Sequence, residues 1–273
     1  MALTGASSAQ PVAEGHQSRV FIVSLAGGRM AVAKVLDASL VDVEVVRARV
    51  ETVVELADLD SRVCRPIEVN GNLFNVLENE NGGPVLVLCS EFADGSALDE
   101  SDPNDSRLMG ETLAGLHRSM ARISARALTP VAALGVIGWT GDEPVQMLHG
   151  DFNAGNLRAG NGSVRVFDFD DCGCGPPAFD VANALYMVMF DATVGVDIDR
   201  YRSFKTPFLT GYEAESKQRV DRGLIDQFVD LRVRALDHWL DDLSGAPIGI
   251  RAASPAWHAT LRQFVRDYGR DRA

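Results

Sequence analysis

The sequence predicts an α+β fold in two lobes: a small N-terminal antiparallel β-sheet lobe with one helix, then a larger, mainly α-helical C-terminal lobe. Three observations predict it. Two apolar strand-like runs separated by a glycine turn occupy residues 20–35; a segment of helical period follows at 41–59; and past Asp180 the apolar runs at 181–190, 201–212, 223–243 and 256–268 read as helices. A chain of 273 residues that is 46% hydrophobic is long enough for one large domain or two lobes, and it can bury a sizeable core.

The elements follow in order. Residues 1–14 are small and polar and are expected to form a flexible arm. Val20 to Leu25, a turn at Ala26-Gly27-Gly28-Arg29 and an apolar run from Met30 to Val35 make a hairpin. Val43, Val46, Val50, Val53 and Ala57 then recur at helical spacing, with Glu44, Arg47, Glu51 and Glu55 turned away. A strand pair is expected between Arg65 and Asn81, and a buried strand at 84–89. Residues 90–95, Ser-Glu-Phe-Ala-Asp-Gly, read as the connector between an N-lobe of 15–89 and a C-lobe of 96–273. A polar cap at 99–106 precedes a helical stripe of Met109, Leu113, Leu116, Met120 and Ile123, with His117 on its flank as a structural residue.

Composition excludes several functions. The formal net charge of −12 argues against a nucleic-acid partner and favours a cationic small molecule. No apolar run approaches the length of a membrane span, and no Lys or Arg in the first fifteen residues starts a signal peptide, so no membrane association and a cytoplasmic location are expected. Cys64, Cys89, Cys172 and Cys174 are too few for a disulfide scaffold and lack a second paired cluster for zinc; they are expected as reduced thiols. Oligomeric state is not legible.

The chemistry lies in His149-Gly150-Asp151-Phe152-Asn153-Ala154-Gly155-Asn156, followed twelve residues later by Asp168-Phe169-Asp170-Asp171. Phosphoryl transfer needs an acceptor for the hydroxyl proton and oxygen ligands that hold magnesium on the nucleotide phosphates. Asp151, Asn156 and Asp168 fit those roles in that order, with a strand over 164–169 expected to deliver Asp168. Asp170 and Asp171 either begin the turn at Gly173 or, for Asp170, add negative charge near the metal. Lys34 adds a fourth group. Only Lys34, Lys205 and Lys217 are lysines among 26 basic residues, and Lys34 sits inside an apolar strand, where a compact ammonium can meet phosphate oxygens. Of the helix carboxylates, Glu51 lies nearer the apolar stripe than Glu44 or Glu55 and is expected to pair with Lys34.

These residues resemble the aminoglycoside phosphotransferase and choline kinase group, small-molecule kinases of protein-kinase-like fold, over nearly all of residues 15–270. The most specific stretches are His149 to Leu157 and Phe167 to Ala182. The resemblance implies ATP and Mg2+ as cofactors. It implies Asp151 as catalytic base, Asn156 and Asp168 as metal ligands, His149 and Asp180 as supports of the catalytic loop, and Lys34 with Glu51 as the phosphate-contacting pair. Ser90 and Phe92 resemble the connector residues that meet adenine, and residues 15–19 occupy the place of the phosphate-covering loop. Two departures choose within the fold: Gly150 stands where protein kinases have Arg, and only twelve positions separate Asp168 from Asp180, too few for an activation loop. The expected function is transfer of the ATP γ-phosphate to a hydroxyl of a small, cationic molecule of the aminoglycoside type. The alternatives are a kinase of an amino alcohol, choline or homoserine, a stress-type protein kinase, and a non-catalytic nucleotide-binding module.

Overall fold

The computed structural model describes residues 6–12, 18–25, 27–79, 81–191 and 195–270. The small lobe is a five-stranded sheet of order β1-β2-β3-β5-β4, with β1 Ala6–Pro11, β2 Arg19–Leu25, β3 Met30–Asp37, β4 Phe74–Glu78 and β5 Pro84–Glu91, and every pair is antiparallel. The hairpin register sets Val20 opposite Lys34 and Ser24 opposite Met30. Helix α1, Val43–Leu59, is capped by Asp42, whose carboxylate accepts from the amides of Glu44 and Val45.

Three expectations change here. Residues 6–11 are strand β1 rather than part of a flexible arm: an edge strand needs only main-chain bonds to its one neighbour, so small residues suffice and Pro11 is tolerated at its end. The expected pair between Arg65 and Asn81 keeps one strand, β4. Its first half instead crosses the end of β5, with the Ile67 amide donating to the Cys89 carbonyl (2.8 Å) and the Glu91 amide to the Arg65 carbonyl (2.9 Å). Residues 90 and 91, read as connector, continue β5 for the same reason: both of its edges still find partners there.

The large lobe comprises α2 Pro103–Met120, α3 Ala132–Ile137, the short strands β6 Gln146–Leu148, β7 Leu157–Gly160, β8 Ser163–Val166 and β9 Gly173–Gly175, helix α4 Pro177–Met189, the strand pair β10 Phe190–Asp191 and β11 Gly195–Val196, and helices α5 Ile198–Ser216, α6 Arg222–Asp241, α7 Ile248–Arg251 and α8 Pro255–Arg270. The main core is built here, around the fully buried Phe152, Phe179, Phe204, Phe208, Phe228 and Phe264. Helices α2 and α5 cross so closely that a Cβ on Gly110 would stand 1.9 Å from the Phe208 carbonyl oxygen, and one on Gly211 2.1 Å from that of Arg107. That approach fixes His117 of α2 against Tyr212 of α5, Nδ1 to hydroxyl 2.8 Å.

Main-chain bonds stitch the lobes. Val166 donates to the Arg62 carbonyl (2.8 Å) and Cys64 to the Val166 carbonyl (2.9 Å), and where the connector enters the large lobe Ser96 and Ala159 exchange two bonds of 2.9 Å that anchor it there. Strand β8 therefore stands on the segment that follows α1, and the three residues Phe167 to Phe169 emerge beneath the small-lobe sheet. All four cysteines are free. Among the described residues no helix is long and apolar enough to cross a membrane.

Candidate active site

The loop after β6 is held from below. Asp180, in the first turn of α4, is fully buried, and its two carboxylate oxygens accept from the amides of His149 (2.7 Å) and Gly150 (2.9 Å). His117 adds its Nε2 at 3.3 Å. Since the carboxylate only accepts, His117 carries its proton on Nε2 and takes the Tyr212 hydroxyl on Nδ1. His149 is fixed the same way: Nε2 faces the Phe167 carbonyl oxygen at 3.1 Å, and Nδ1 accepts from the Asp151 amide at 3.3 Å. Its ring packs against Phe152 and Phe169. Burial pushes the His149 pKa down, so the ring stays neutral as it bridges the two halves of the site.

Gly150 explains the missing arginine. It takes φ +83°, and a Cβ there would lie 2.1 Å from the Asp171 carbonyl oxygen. The two loops meet through this residue, and only glycine fits both the left-handed backbone and the gap. Gly150→Ala is expected to lower kcat at least tenfold and to reduce Tm, measured by turnover and thermal unfolding; a variant indistinguishable from wild type in both would contradict the close approach.

At the tip, Asn156 reaches back to Asp151, donating from Nδ2 to the Asp151 carbonyl oxygen (2.9 Å) and to its Oδ2 (3.1 Å). The Asn156 Oδ1 is left pointing away from this pair. Burial raises the Asp151 pKa, with Asp171 and Asp168 adding to the effect and Arg232 of α6 opposing it, to about 7. Asp168 does not end a strand. Strand β8 stops at Val166, and Asp168 sits beyond it at φ +63°, a left-handed conformation for a non-glycine residue and a place where strain accompanies function. The turn presents its carboxylate to the cleft, 37% exposed.

Lys34 crosses from β3 to meet this turn. Its Nζ lies 2.6 Å from Asp168 Oδ1 and 2.7 Å from Asp170 Oδ2. Burial alone would lower the ammonium pKa, but Asp170 and Asp168 beside it outweigh that and push it above the ordinary lysine value. The expected partner is not there. Glu51 is exposed, as is Glu44, which pairs with Arg47, so the choice between them falls away. The inward face of α1 carries Val46, Arg49, Val50 and Val53, and Arg49 donates its Nη1 to the Asp170 carbonyl. Arg49 follows Val46 by three and precedes Val53 by four; that spacing placed it on the buried stripe and was the available signal.

Between the lobes lies a cavity of about 990 Å³. Val20, Ile22, Val32, Leu36 and Leu88 form its apolar roof, Cys89 to Ala93 its back edge, and Lys34, Arg49, Asp168, Asp170 and Asp171 its charged end. Ser90 and Phe92 thus line it, as expected of the connector. The segment before β2 that was expected over the phosphates lies, from residue 15 to 17, outside the described residues. The acidic groups of the helical lobe do not converge on the cavity: Asp197 and Asp242 cap helical turns, Asp241 pairs with Arg262 and Asp199 with Arg202.

Magnesium suits the oxygens that do converge. Among the described residues no three His, Cys, Asp or Glu side chains form a ready cage. Magnesium is ordinarily held by one or two carboxylates together with substrate phosphates. Asp168 supplies a hard oxygen donor on the cavity lining, and Asn156, whose carbonyl accepts from the Phe167 amide (3.1 Å), adds its Oδ1 from the neighbouring loop.

Residues 124–216, which contain the loop, the Asp168 turn and Asp180, match the phosphotransferase enzyme family. No match was found among curated proteins. Among solved structures, the chain is similar to an amicoumacin kinase in complex with AMP-PNP, Ca2+ and Ami, at 17% identity over 96% of this chain and 88% of that one, TM-score 0.71. It is similar to a microcompartment-associated aminopropanol kinase, at 17% identity over 96% and 89%, TM-score 0.69. An aminoglycoside phosphotransferase matches at 15% identity over 97% and 95%, TM-score 0.57. At these identities the likeness is one of fold: a kinase-like α+β architecture of two lobes.

Proposed function

We propose, from the match of residues 124–216 to the phosphotransferase enzyme family, that the protein is an ATP- and Mg2+-dependent kinase acting on a hydroxyl of a small, amine-bearing molecule. The observation that carries this reading is the Asp151–Asn156 pair, close enough to feel the charge of Asp168, which with Lys34 forms the charged end of an apolar cavity. The apolar roof and the edge at Ser90 and Phe92 suit a nucleotide base, which leaves its phosphates to Lys34.

Asp151 takes the hydroxyl proton. Its pKa near 7 places it where a base is both ionised and basic enough to accept a proton at neutral pH. Asn156 fixes its rotamer by donating to Oδ2, and the neutral His149 fixes the loop by accepting the Asp151 amide. Lys34 contributes a point charge to the phosphates. Asn156 and Asp168 would hold magnesium, which would supply positive charge against the nucleotide phosphates.

The substrate class follows from charge and from the turn geometry. A net charge of −12 favours a cationic acceptor. The twelve-position interval from Asp168 to Asp180 is filled by β9 and the start of α4, which leaves no extended segment on which a protein substrate could lie. An aminoglycoside-type acceptor is the first choice, and an amino alcohol the second, since an aminopropanol kinase and an aminoglycoside phosphotransferase share the fold. A coupled ADP-release screen over aminoglycosides, amino alcohols, choline, homoserine and a generic protein substrate tests it. Acceptor-dependent ADP release with at least one amine-bearing alcohol is expected; release only with the protein, or nucleotide binding with no release across the panel, would contradict it.

A further inference from the structure

In kinases of this architecture the strand lysine is held by a glutamate of the small-lobe helix, and the pair must be in place for transfer. Here α1 offers no such acid. Glu44, Glu51 and Glu55 are exposed, and the ionic side chain that α1 turns into the cavity is the cation Arg49. Lys34 is nonetheless held by two carboxylates of the large lobe, Asp168 at 2.6 Å and Asp170 at 2.7 Å. The two differ in setting. Asp168 stands in the left-handed turn, 37% exposed to the cleft. Asp170 is tied down, because its carbonyl accepts from Arg49, so α1 and β3 both converge on that one residue.

We propose that Asp170 is the positioning residue for Lys34, supplying from the large lobe the carboxylate that the small-lobe helix lacks. The inference rests on the kinase reading above. Lys34 cannot share Asp168 with a divalent cation at full strength, since that carboxylate is then engaged elsewhere. Asp170 remains, and it keeps the ammonium aimed at the phosphates. The consequence is mechanical. Lys34 is aligned by closure of the two lobes rather than by rotation of α1, and Arg49 locks the helix to the same point.

The chain has only three lysines, which makes the test direct: nitrogen-15 NMR of lysine ammonium groups, where a hydrogen-bonded, solvent-protected NH3+ gives a signal that an exposed one loses to exchange. In nucleotide-free protein saturated with Mg2+, so that the cation engages Asp168, the Lys34 signal is expected to survive Asp168→Asn and to vanish in Asp170→Asn. Mn2+ affinity of the ADP complex, read by electron paramagnetic resonance, is expected to change less than about twofold in Asp170→Asn and to fall at least tenfold in Asp168→Asn. Persistence of the Lys34 signal in Asp170→Asn would overturn the proposal, as would a tenfold loss of Mn2+ affinity there, which would make Asp170 a metal ligand. Should Asp170→Asn not fold, the Asp168→Asn spectrum decides alone, because loss of the signal in that variant shows that Asp170 does not hold Lys34. None of these measurements needs turnover, so a failed substrate screen would contradict the function without touching this assignment.

Discussion

Asp151→Asn is expected to lower kcat by about 10²- to 10⁴-fold, the range a positioned general base supplies, and at the same time to raise Tm. The activity loss follows because the amide cannot accept the hydroxyl proton. The gain in stability follows from linkage. The Asp151 carboxyl has its pKa raised from 3.8 to about 7 by burial, with the nearby Asp171 and Asp168 acting in the same direction. Below about pH 4 the group is protonated in both folded and unfolded chains and contributes no difference. Between there and about pH 7 the unfolded chain ionises first, so stability falls as pH rises, and above pH 7 the whole penalty is present. A neutral Asn escapes it. A pKa raised from 3.8 to about 7 corresponds to about 4 kcal/mol, at about 1.4 kcal/mol per pH unit. Because Asn is a poorer acceptor for the Asn156 amide, the net gain at pH 8 is expected to be about 1–4 kcal/mol, at least about 2 °C in Tm for a chain of this size, shrinking to nothing near pH 4. Thermal unfolding of both proteins at pH 4.5, 6 and 8 checks this; a Tm difference independent of pH would mean that the carboxyl is not held in an environment hostile to its charge. The same raised pKa predicts that kcat/KM of wild type climbs with pH through a limb near neutrality.

Asp180→Ala is expected to be the most damaging single change to stability. It removes both oxygens that accept from the His149 and Gly150 amides, in a position with no access to water. Each buried donor left without a partner costs about 1–3 kcal/mol, and His117 loses its acceptor as well, so a loss of about 3–5 kcal/mol is expected, with Tm lower by about 10 °C or more. Asp180→Asn is the informative companion, since its single carbonyl oxygen keeps one of the two bonds. Chemical denaturation should rank the stabilities as wild type, then Asn, then Ala. If the Ala variant unfolds within about 1 kcal/mol of wild type, the loop does not hang from this carboxylate.

The residues of the loop itself were legible because they are local. Asp151 and Asn156 are five apart on one turn, and their pairing needs no knowledge of the rest of the chain. Gly150 was visible as a departure, yet its reason, the Asp171 carbonyl at the opposite side, is a tertiary contact that no spacing reveals. The lysine partner went wrong for a related cause. The wheel for α1 correctly placed the valines inward but treated charged residues as outward by default, and that default hid Arg49 and promoted Glu51. The actual partners, Asp168 and Asp170, are more than 130 positions away in sequence. The fold class was readable from periodicity because strand and helix periods are local properties too. Strand β1 was not, since an edge strand of small residues carries no apolar signature; its hydrogen bonds to β2 are main-chain bonds to which composition is blind. His117 was read as structural, and its role as a brace for Asp180 depends on the α2–α5 crossing.

The most direct measurement of the central claim is phosphorus-31 NMR of ATP and Mg2+ incubated with the protein and an acceptor from the amine-bearing panel, run in parallel with Asp151→Asn. A new phosphomonoester resonance growing at the expense of the ATP γ-phosphate with wild type, and absent over the same time with the variant, is the predicted result. Inorganic phosphate as the only product across the panel, or an ester formed by Asp151→Asn at more than about a tenth of the wild-type rate, set against the 10²-fold minimum expected of a general base, would contradict it.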